Sequence, residues 1–362
     1  MRVATFNMEN LFRRPRVMNV EEWAQGRPAL EAIAELNELI AHEVYSVADK
    51  KRVAEILTAY GLAETRPGPL LFTINQVREK LYVVHRTGEL EVVAKGRKSW
   101  LGWVDLVTDT RAEVAIENTG RVVDAMRPDI LVCVEIEDRL ALHRFNEQVL
   151  VPRFPAAAFP YNMLVDGNDA RGIDVGVLSR HPIVSVRSHI FDGGTQPVFS
   201  RDCAEYDIAL PGGETLVILA NHFKSKGYGN PRESAARRLR QADRVKEIYA
   251  EALKRSEFVI VAGDLNDSPD SAPIKVLTGA GLRDVMAPPF YTGKPGTYGT
   301  GNSATSKIDY LLLSPALFPR LTAAEVERRG VFAPRAGSPF PEVTSKANQA
   351  SDHGAVYADL QF

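Results

Sequence analysis

Residues 259–271 read VIVAGDLNDSPDS, an apolar run that stops abruptly on Asp264, Asn266, Asp267 and Asp270. A strand that ends in a cluster of acids has three readings. The acids can cap a following helix, because Asp, Asn and Ser satisfy unpaired N–H groups and Pro269 suits a first helical turn. They can hold a metal, or they can hold a catalytic water. The segment by itself leaves all three open.

Short β-rich runs of the same kind recur along the chain: RVATF, DILVCVEI, IDVGVLS, IVSVRSHIF, CAEYDIAL, TLVILANHF, EFVIVAGDL, KIDYLLLS and AVYADLQF. Helical patterns lie between them, with NTGRVVDAMRP before the second run, PRESAARRLRQADRVKEIYAEALKR after the sixth and APIKVLTGAG after the seventh. Many connections are too short for a crossover helix. That mixture predicts an α/β protein with much antiparallel sheet, built as two packed sheets with helices outside.

With 362 residues, 45% of them hydrophobic, the chain can bury a large core. No window approaches the ~18 apolar residues that span a bilayer, and the N-terminal MRVATFNMENLF lacks a signal-peptide core. A cytoplasmic, monomeric protein without stable membrane association is expected. Cys133 and Cys203 each sit in an apolar strand-like run and read as buried thiols. The net charge of −2 gives no global attraction to polyanions, so any such ligand requires a local basic patch.

Residues 13 to about 115 break the rhythm. They hold a helical piece, DKKRVAEILTAYGL, a Pro-rich TRPGPL, and a hairpin turning at Thr87–Gly88. This reads as an insertion of a helix plus a β-hairpin in one domain spanning 1–362. Arg86, Lys95, Arg97, Lys98, Trp100 and Trp103 cluster there. Basic residues interleaved with aromatics can track a nucleic-acid backbone and stack bases, or the tryptophans can simply pack on the core.

The informative feature is where polar residues interrupt the strands. Asn7 and Glu9 follow VATF, Glu135 follows ILVCV, and Asn221 and His222 follow LVILA. Asp264 and Asn266 follow VIVAG, Asp309 lies within SKIDYLLL, and Asp352 and His353 precede AVYADL. One strand-end Asp or Asn is an ordinary turn residue; six such points are a pattern. In TFNMENL, VCVEIED, ANHFKSK, GDLND, KIDYLLLS and SDHGAV, in that order, the chain resembles the endonuclease/exonuclease/phosphatase superfamily. That superfamily includes pancreatic-type deoxyribonucleases, abasic-site endonucleases and neutral sphingomyelinases. The loop after His222 is most similar to bacterial nucleases of the family.

The resemblance implies a four-layer α/β sandwich of the DNase I type, two packed mixed sheets flanked by helices, and divalent-metal-dependent hydrolysis of phosphoesters. Hard oxygen ligands suit Mg2+ or Mn2+, with Ca2+ a further option. By the same resemblance, Glu135 is the first metal ligand with Asn7 beside it, and Asp352 binds metal directly or through water. Asp264 orients or deprotonates the attacking water, and Asn266 bonds a phosphate oxygen. Asp309 fixes the tautomer of His353 and favours its protonated form. His222 is a second histidine, for which Asp174 is the nearest candidate partner in sequence. Asp267 and Asp270 are left to cap the next helix. Arg171, Arg201, Lys224 and Arg237 neighbour these motifs and are candidate phosphate contacts. A nucleic-acid substrate is expected. A lipid or inositol phosphodiesterase or phosphatase using the same centre is the alternative, with APPFYTG and LGW as weak candidates for a membrane-binding loop.

Overall fold

The computed structural model of the chain describes residues 1–9, 11–18, 23–64, 68–169, 171–227, 229–334 and 337–362. Part of the Pro-rich 65–70 stretch lies outside them, as does Tyr228 in the segment after His222. The chain forms two compact units: Met1–Phe12, Arg111–Lys226 and Asn230–Phe362 make one, and Arg13–Thr110 with Gly227–Gly229 make the other.

Counting only the strands of the two large sheets, the first unit contains β1 (Arg2–Asn7), β2 (Ile130–Ile136), β3 (Tyr161–Leu164), β4 (Asp174–Ser179), β5 (Ile183–Arg187) and β6 (Cys203–Ala209). It continues with β7 (Thr215–His222), β8 (Val259–Asp264), β9 (Arg283–Asp284), β10 (Asp309–Leu313), β11 (Leu321–Glu327) and β12 (Ala355–Leu360). One six-stranded sheet has the order β11-β12-β1-β2-β4-β3 and the other β5-β6-β7-β8-β10-β9. Each is antiparallel apart from one central parallel pair, β1 with β2 and β7 with β8. Parallel neighbours need a crossover, and the intervening chain contains helix Glu113–Met126 in the first case and helix Pro231–Ala252 in the second. The second helix starts cleanly because the side chain of Asn230 accepts from the N–H groups of Arg232 and Glu233, with Pro231 in the first turn.

The period-2 alternation of the strands builds the four layers. In β2, Ile130, Val132 and Val134 join Ile218, Ile260 and Leu311 of the other sheet in the central core. Leu131 and Cys133 face the opposite way, among Val123, Met126 and Leu142 of the flanking helices. On the far side Leu219 and Val261 pack with Val245, Ile248 and Ile274. These β2 side chains are sealed from solvent, and each buried aliphatic one is worth roughly 1.5–3 kcal/mol of transfer free energy. The expected four-layer α/β sandwich is the observed one. Cys133 and Cys203 are free buried thiols, as read from their strand settings. No described helix is long and apolar enough to cross a membrane.

The second unit is richer than a helix plus a hairpin. It has helices Trp23–Ala41 and Val47–Ala59, the latter opened by a capping box between Ser46 and Asp49. Three two-stranded pairs accompany them: Arg13–Pro15 with Thr108–Thr110, Phe72–Arg78 with Leu101–Leu106, and Tyr82–Val84 with Leu90–Val92. The last turns at Gly88, with φ of 86°, where the hairpin was expected. Leu36, Leu57, Phe72 and Trp100 form a core of its own. Trp100 donates from Nε1 to Tyr45 Oη at 2.9 Å and is buried, so it is a packing residue, whereas Trp103 is 48% exposed. Phe290 and Tyr291 of APPFYTG also turn inward, Phe290 against Phe318 and the Tyr291 hydroxyl to Lys294 O.

Candidate active site

Alternation that fills the central core also delivers the polar residues. Leu216, Ile218 and Ala220 of β7, Ile260 and Ala262 of β8, and Leu311 and Leu313 of β10 face between the sheets. Every second residue shares a face, so His222, Asp264 and Asp309 continue that face at the strand ends. They stand in one row, because His222 is in register with Asp264 and Asp264 with Asp309. From the other sheet, Asn7 continues the face of Val3 and donates from Nδ2 to Asp264 Oδ2 at 3.2 Å. Gly263 makes the close approach possible: its φ is +127°, and a Cβ there would lie 1.9 Å from Asn221 O.

His353 Nδ1 lies 2.9 Å from Asp309 Oδ2, and its Nε2 lies 3.8 Å from Asp352 Oδ1. Burial pulls the imidazole toward neutrality, but Asp309, Asp352 and Asp264 outweigh it and hold it well above the ordinary histidine range. The ring thus favours its protonated form, in which Nδ1–H donates to Asp309. Asp264 accepts from Asn266 N at 2.8 Å as well as from Asn7. Burial, then the negative charge of Asp309, pushes its carboxyl up to about 7. The ligating atoms of Asp264, Asp309 and His353 lie within 4.8 Å of one another. In that form the ring offers no lone pair to a metal, and the trio suits proton handling.

The residues expected to hold metal are gathered beside it. Glu135 is the last residue but one of β2, with φ of 63°, and its negative charge also raises Asp264. Asn7 Oδ1 accepts the Glu9 N–H at 3.1 Å, which leaves it a second lone pair. Hard oxygens with mutually repelling carboxylates match a divalent cation in chemistry. Of the six non-glycine residues with positive φ among the described ones, three, Glu9, Glu135 and Asn266, lie at or just beyond strand ends of this site, each conformation costing roughly 1–2 kcal/mol. Strain of that order is held where function demands it.

Three expectations need correction. His222 does not pair with Asp174: its Nε2 lies 3.7 Å from Asp264 Oδ2, its Nδ1 has no hydrogen-bond partner among the described residues, and Asp174 instead accepts from Gly167 N at 3.0 Å. A bulge between Asp174 and Val175 re-aims that strand end. Burial pushes the Asp174 carboxyl up to about 7. Asp267 is no cap, since it accepts from Arg238 Nε at 2.9 Å and pairs with Lys226 Nζ at 2.5 Å. Nor is Asp270, because the cap position of helix Ala272–Gly279 is Ser271, which makes no side-chain cap bond. Glu9 is structural: it accepts from Gln349 and lies 3.8 Å from Arg111 Nη2. Asn266 keeps its expected place but commits one amide N–H to Phe223 O at 3.1 Å, leaving one for a ligand.

The basic residues do assemble. Arg171 donates to Asp169 from Nε and Nη2, and Arg201 Nε lies 3.0 Å from Asp169 Oδ2. Burial and the charges of Arg171, Arg201 and Arg237 press Lys224 down to about 7. Sequence reading missed Asp169 itself, Tyr298, whose ring lies 5.0 Å from that of His353, and Thr297, whose hydroxyl accepts from Asp309 N. It also missed Ser351, which accepts from His353 N at 2.9 Å. Ser351 carried a signal, as a hydroxyl two residues before a functional histidine is a turn former; Asp169 and Tyr298 carried none.

A family model described as Endonuclease/Exonuclease/phosphatase family matches residues 103–353. The chain belongs to that family, whose members are divalent-metal-dependent phosphoester hydrolases. Among solved structures, the endonuclease/exonuclease/phosphatase from Bacteroides vulgatus is 16% identical over 68% of this chain and 90% of that one, with a TM-score of 0.50, and has the same fold. A protein so described from Beutenbergia cavernae is 18% identical over 68% of this chain, with a TM-score of 0.47, and this chain spans 66% of its length. Beta toxin from Staphylococcus aureus is 16% identical over 67% of this chain and 93% of that one, with a TM-score of 0.47. No curated protein matches the sequence.

Proposed function

We propose that the protein is a phosphodiesterase that hydrolyses nucleic acid with Mg2+ or Mn2+. The observation that carries this reading is the convergence of the Asp309–His353 pair with Asp264 and Asn7, four residues from three separate strands and one loop. Glu135, Asn7 and Asp352 would hold the metal, which supplies positive charge to the phosphoryl oxygens.

Asp264 is oriented by two N–H donors, and a carboxyl near 7 suits a base that works near neutrality. It aligns a water for in-line attack and takes its proton as the new O–P bond forms and the ester P–O bond breaks. The imidazolium of His353, anchored through Nδ1 on Asp309, presents Nε2–H to the oxygen on which negative charge grows. The preference for nucleic acid over a lipid head group rests on the basic residues beside His222.

The test is a panel of plasmid DNA, single-stranded DNA, RNA, sphingomyelin and phosphate monoesters, each with Mg2+, Mn2+ and Ca2+ and with chelator. Metal-dependent cleavage of a polynucleotide is expected. Hydrolysis of sphingomyelin or a monoester with no polynucleotide cut under any metal would remove the nuclease reading and leave the hydrolase.

A further inference from the structure

Next to the catalytic row lies a group of cations that the chemistry above does not use. Arg201 is 2% exposed, at the rim of β6, with Nη1 donating to Phe223 O at 3.2 Å. Asp169 holds it by an ion pair and holds Arg171 by two parallel bonds, so one carboxylate fixes two guanidinium planes. Lys224 follows Phe223 and its carbonyl accepts from Arg238 Nη1 at 3.1 Å, which brings Arg237, the preceding residue of the crossover helix, to this segment; each of the three arginines lowers the lysine's affinity for its proton. Cations crowded together in this way gain when a further anion joins them.

Position says which anion. Arg201 Nη1 and Asn266 Nδ2 donate to the same carbonyl, that of Phe223, and the preceding residue His222 sets its Nε2 3.7 Å from Asp264 Oδ2. The group therefore stands one side chain away from the carboxylate that addresses the scissile phosphorus. It is separate from the oxygen donors Glu135, Asn7 and Asp352, and arginines held in fixed planes recognise phosphate in a defined orientation.

We propose that Arg171, Arg201, Lys224 and Arg237 form a second phosphate subsite, binding a phosphate that neighbours the scissile one on the same substrate. The inference rests on the nuclease reading and sharpens it: the preferred substrate carries at least two phosphates in series, as a polynucleotide does and sphingomyelin does not. Asp169 is then a positioning residue that sets the arginine planes without touching substrate.

The experiment compares Lys224→Gln and Arg237→Gln with the parent on two substrates, a short single-stranded oligonucleotide and bis(p-nitrophenyl) phosphate, which has a single phosphate. Each variant should raise KM for the oligonucleotide about tenfold more than for the single-phosphate ester, with kcat for the oligonucleotide nearly kept. The slope of log KM against log salt should fall by roughly one per cation removed. Asp169→Asn should reproduce the KM effect, while circular dichroism and thermal unfolding identify any variant that is merely misfolded. Equal losses on both substrates, or none on either, would overturn the subsite. If the parent cleaves no polynucleotide, the nuclease reading fails separately. The subsite is then decided by calorimetry with inorganic pyrophosphate, where binding weakened in both variants supports it and unchanged binding refutes it.

Discussion

Asp264 and Asp267 lie in one short motif, and their carboxylates do different things. Asp264 is held by amide N–H donors beside a histidine and a second acid, whereas Asp267 closes an ion pair with buried Arg238. Asp264→Asn should lower turnover by roughly two to four orders of magnitude with little change in unfolding temperature. Asp267→Ala leaves a buried guanidinium without its partner and should cost about 3–5 kcal/mol in denaturant unfolding. A second comparison concerns His353, which needs Asp309 for its charge: His353→Ala, Asp309→Asn and the double variant should show similar kcat losses, and additive losses would mean independent roles. A third uses a histidine away from the site. His189 sets Nδ1 2.9 Å from Asp192 and Nε2 2.8 Å from Glu205. Burial lowers its proton affinity but the two carboxylates outweigh this, so its folded pKa is raised. The stabilisation is therefore full below the unfolded value of about 6.5 and disappears as pH rises through the folded one. His189→Gln should lose on the order of 1–3 kcal/mol in urea unfolding at pH 5.5, and less at pH 9.

At the level of elements, the strand ends were legible because a polar residue that breaks an apolar run stands out, and alternation then decides which face it takes. That is why Asn7, His222, Asp264 and Asp309 were readable. Pairing between elements was less so. Asp174 is nearest to His222 among the sequence candidates, yet a bulge diverts it to Gly167; Asp267 has its partner 29 residues upstream, on the crossover helix. Neither fact leaves a trace in spacing. The Gly263 contact gives a prediction at this scale. Gly263→Ala would force Cβ against Asn221 O in a backbone conformation unsuited to alanine, so β7 and β8 must separate beside Asp264. Stability should fall by several kcal/mol, and the activity that remains should be lower than thermal melting alone explains; wild-type kinetics in this variant would show that the strand approach is dispensable.

For the molecule as a whole, two sheets and their helices follow from alternation and crossovers, but the second unit did not announce its extent. Its short, irregular strands lack a long periodic signal, and Trp100 could not be separated from Trp103 by composition, although one is core and the other is exposed. Within the main unit, the two points where the chain leaves and returns meet, since Arg111 N donates to Phe12 O at 2.9 Å. Replacing residues 13–110 by a short Gly/Ser linker should leave the main unit folding cooperatively, because closing a short surface loop costs little. Calorimetry and hydrolysis of bis(p-nitrophenyl) phosphate would check this, and loss of a cooperative transition would show that the two units fold only together.

The pairing of β1 with β12, in which Arg2 stands opposite Asp359, has a consequence for the order in which the protein comes into being. The sheet that carries His222, Asp264 and Asp309 uses strands from residues 183–313 and can assemble while the ribosome is still adding the rest. The other sheet has to keep β1 waiting for a neighbour that is made only after the whole of the first sheet, and His353 arrives just ahead of that strand. A nascent chain that stops short of β12 therefore holds part of the catalytic row but not the histidine or the settled Asn7, so hydrolytic capacity is withheld until that strand has been made. On the nuclease reading, a chain that has not reached His353 leaves its own RNA template uncut.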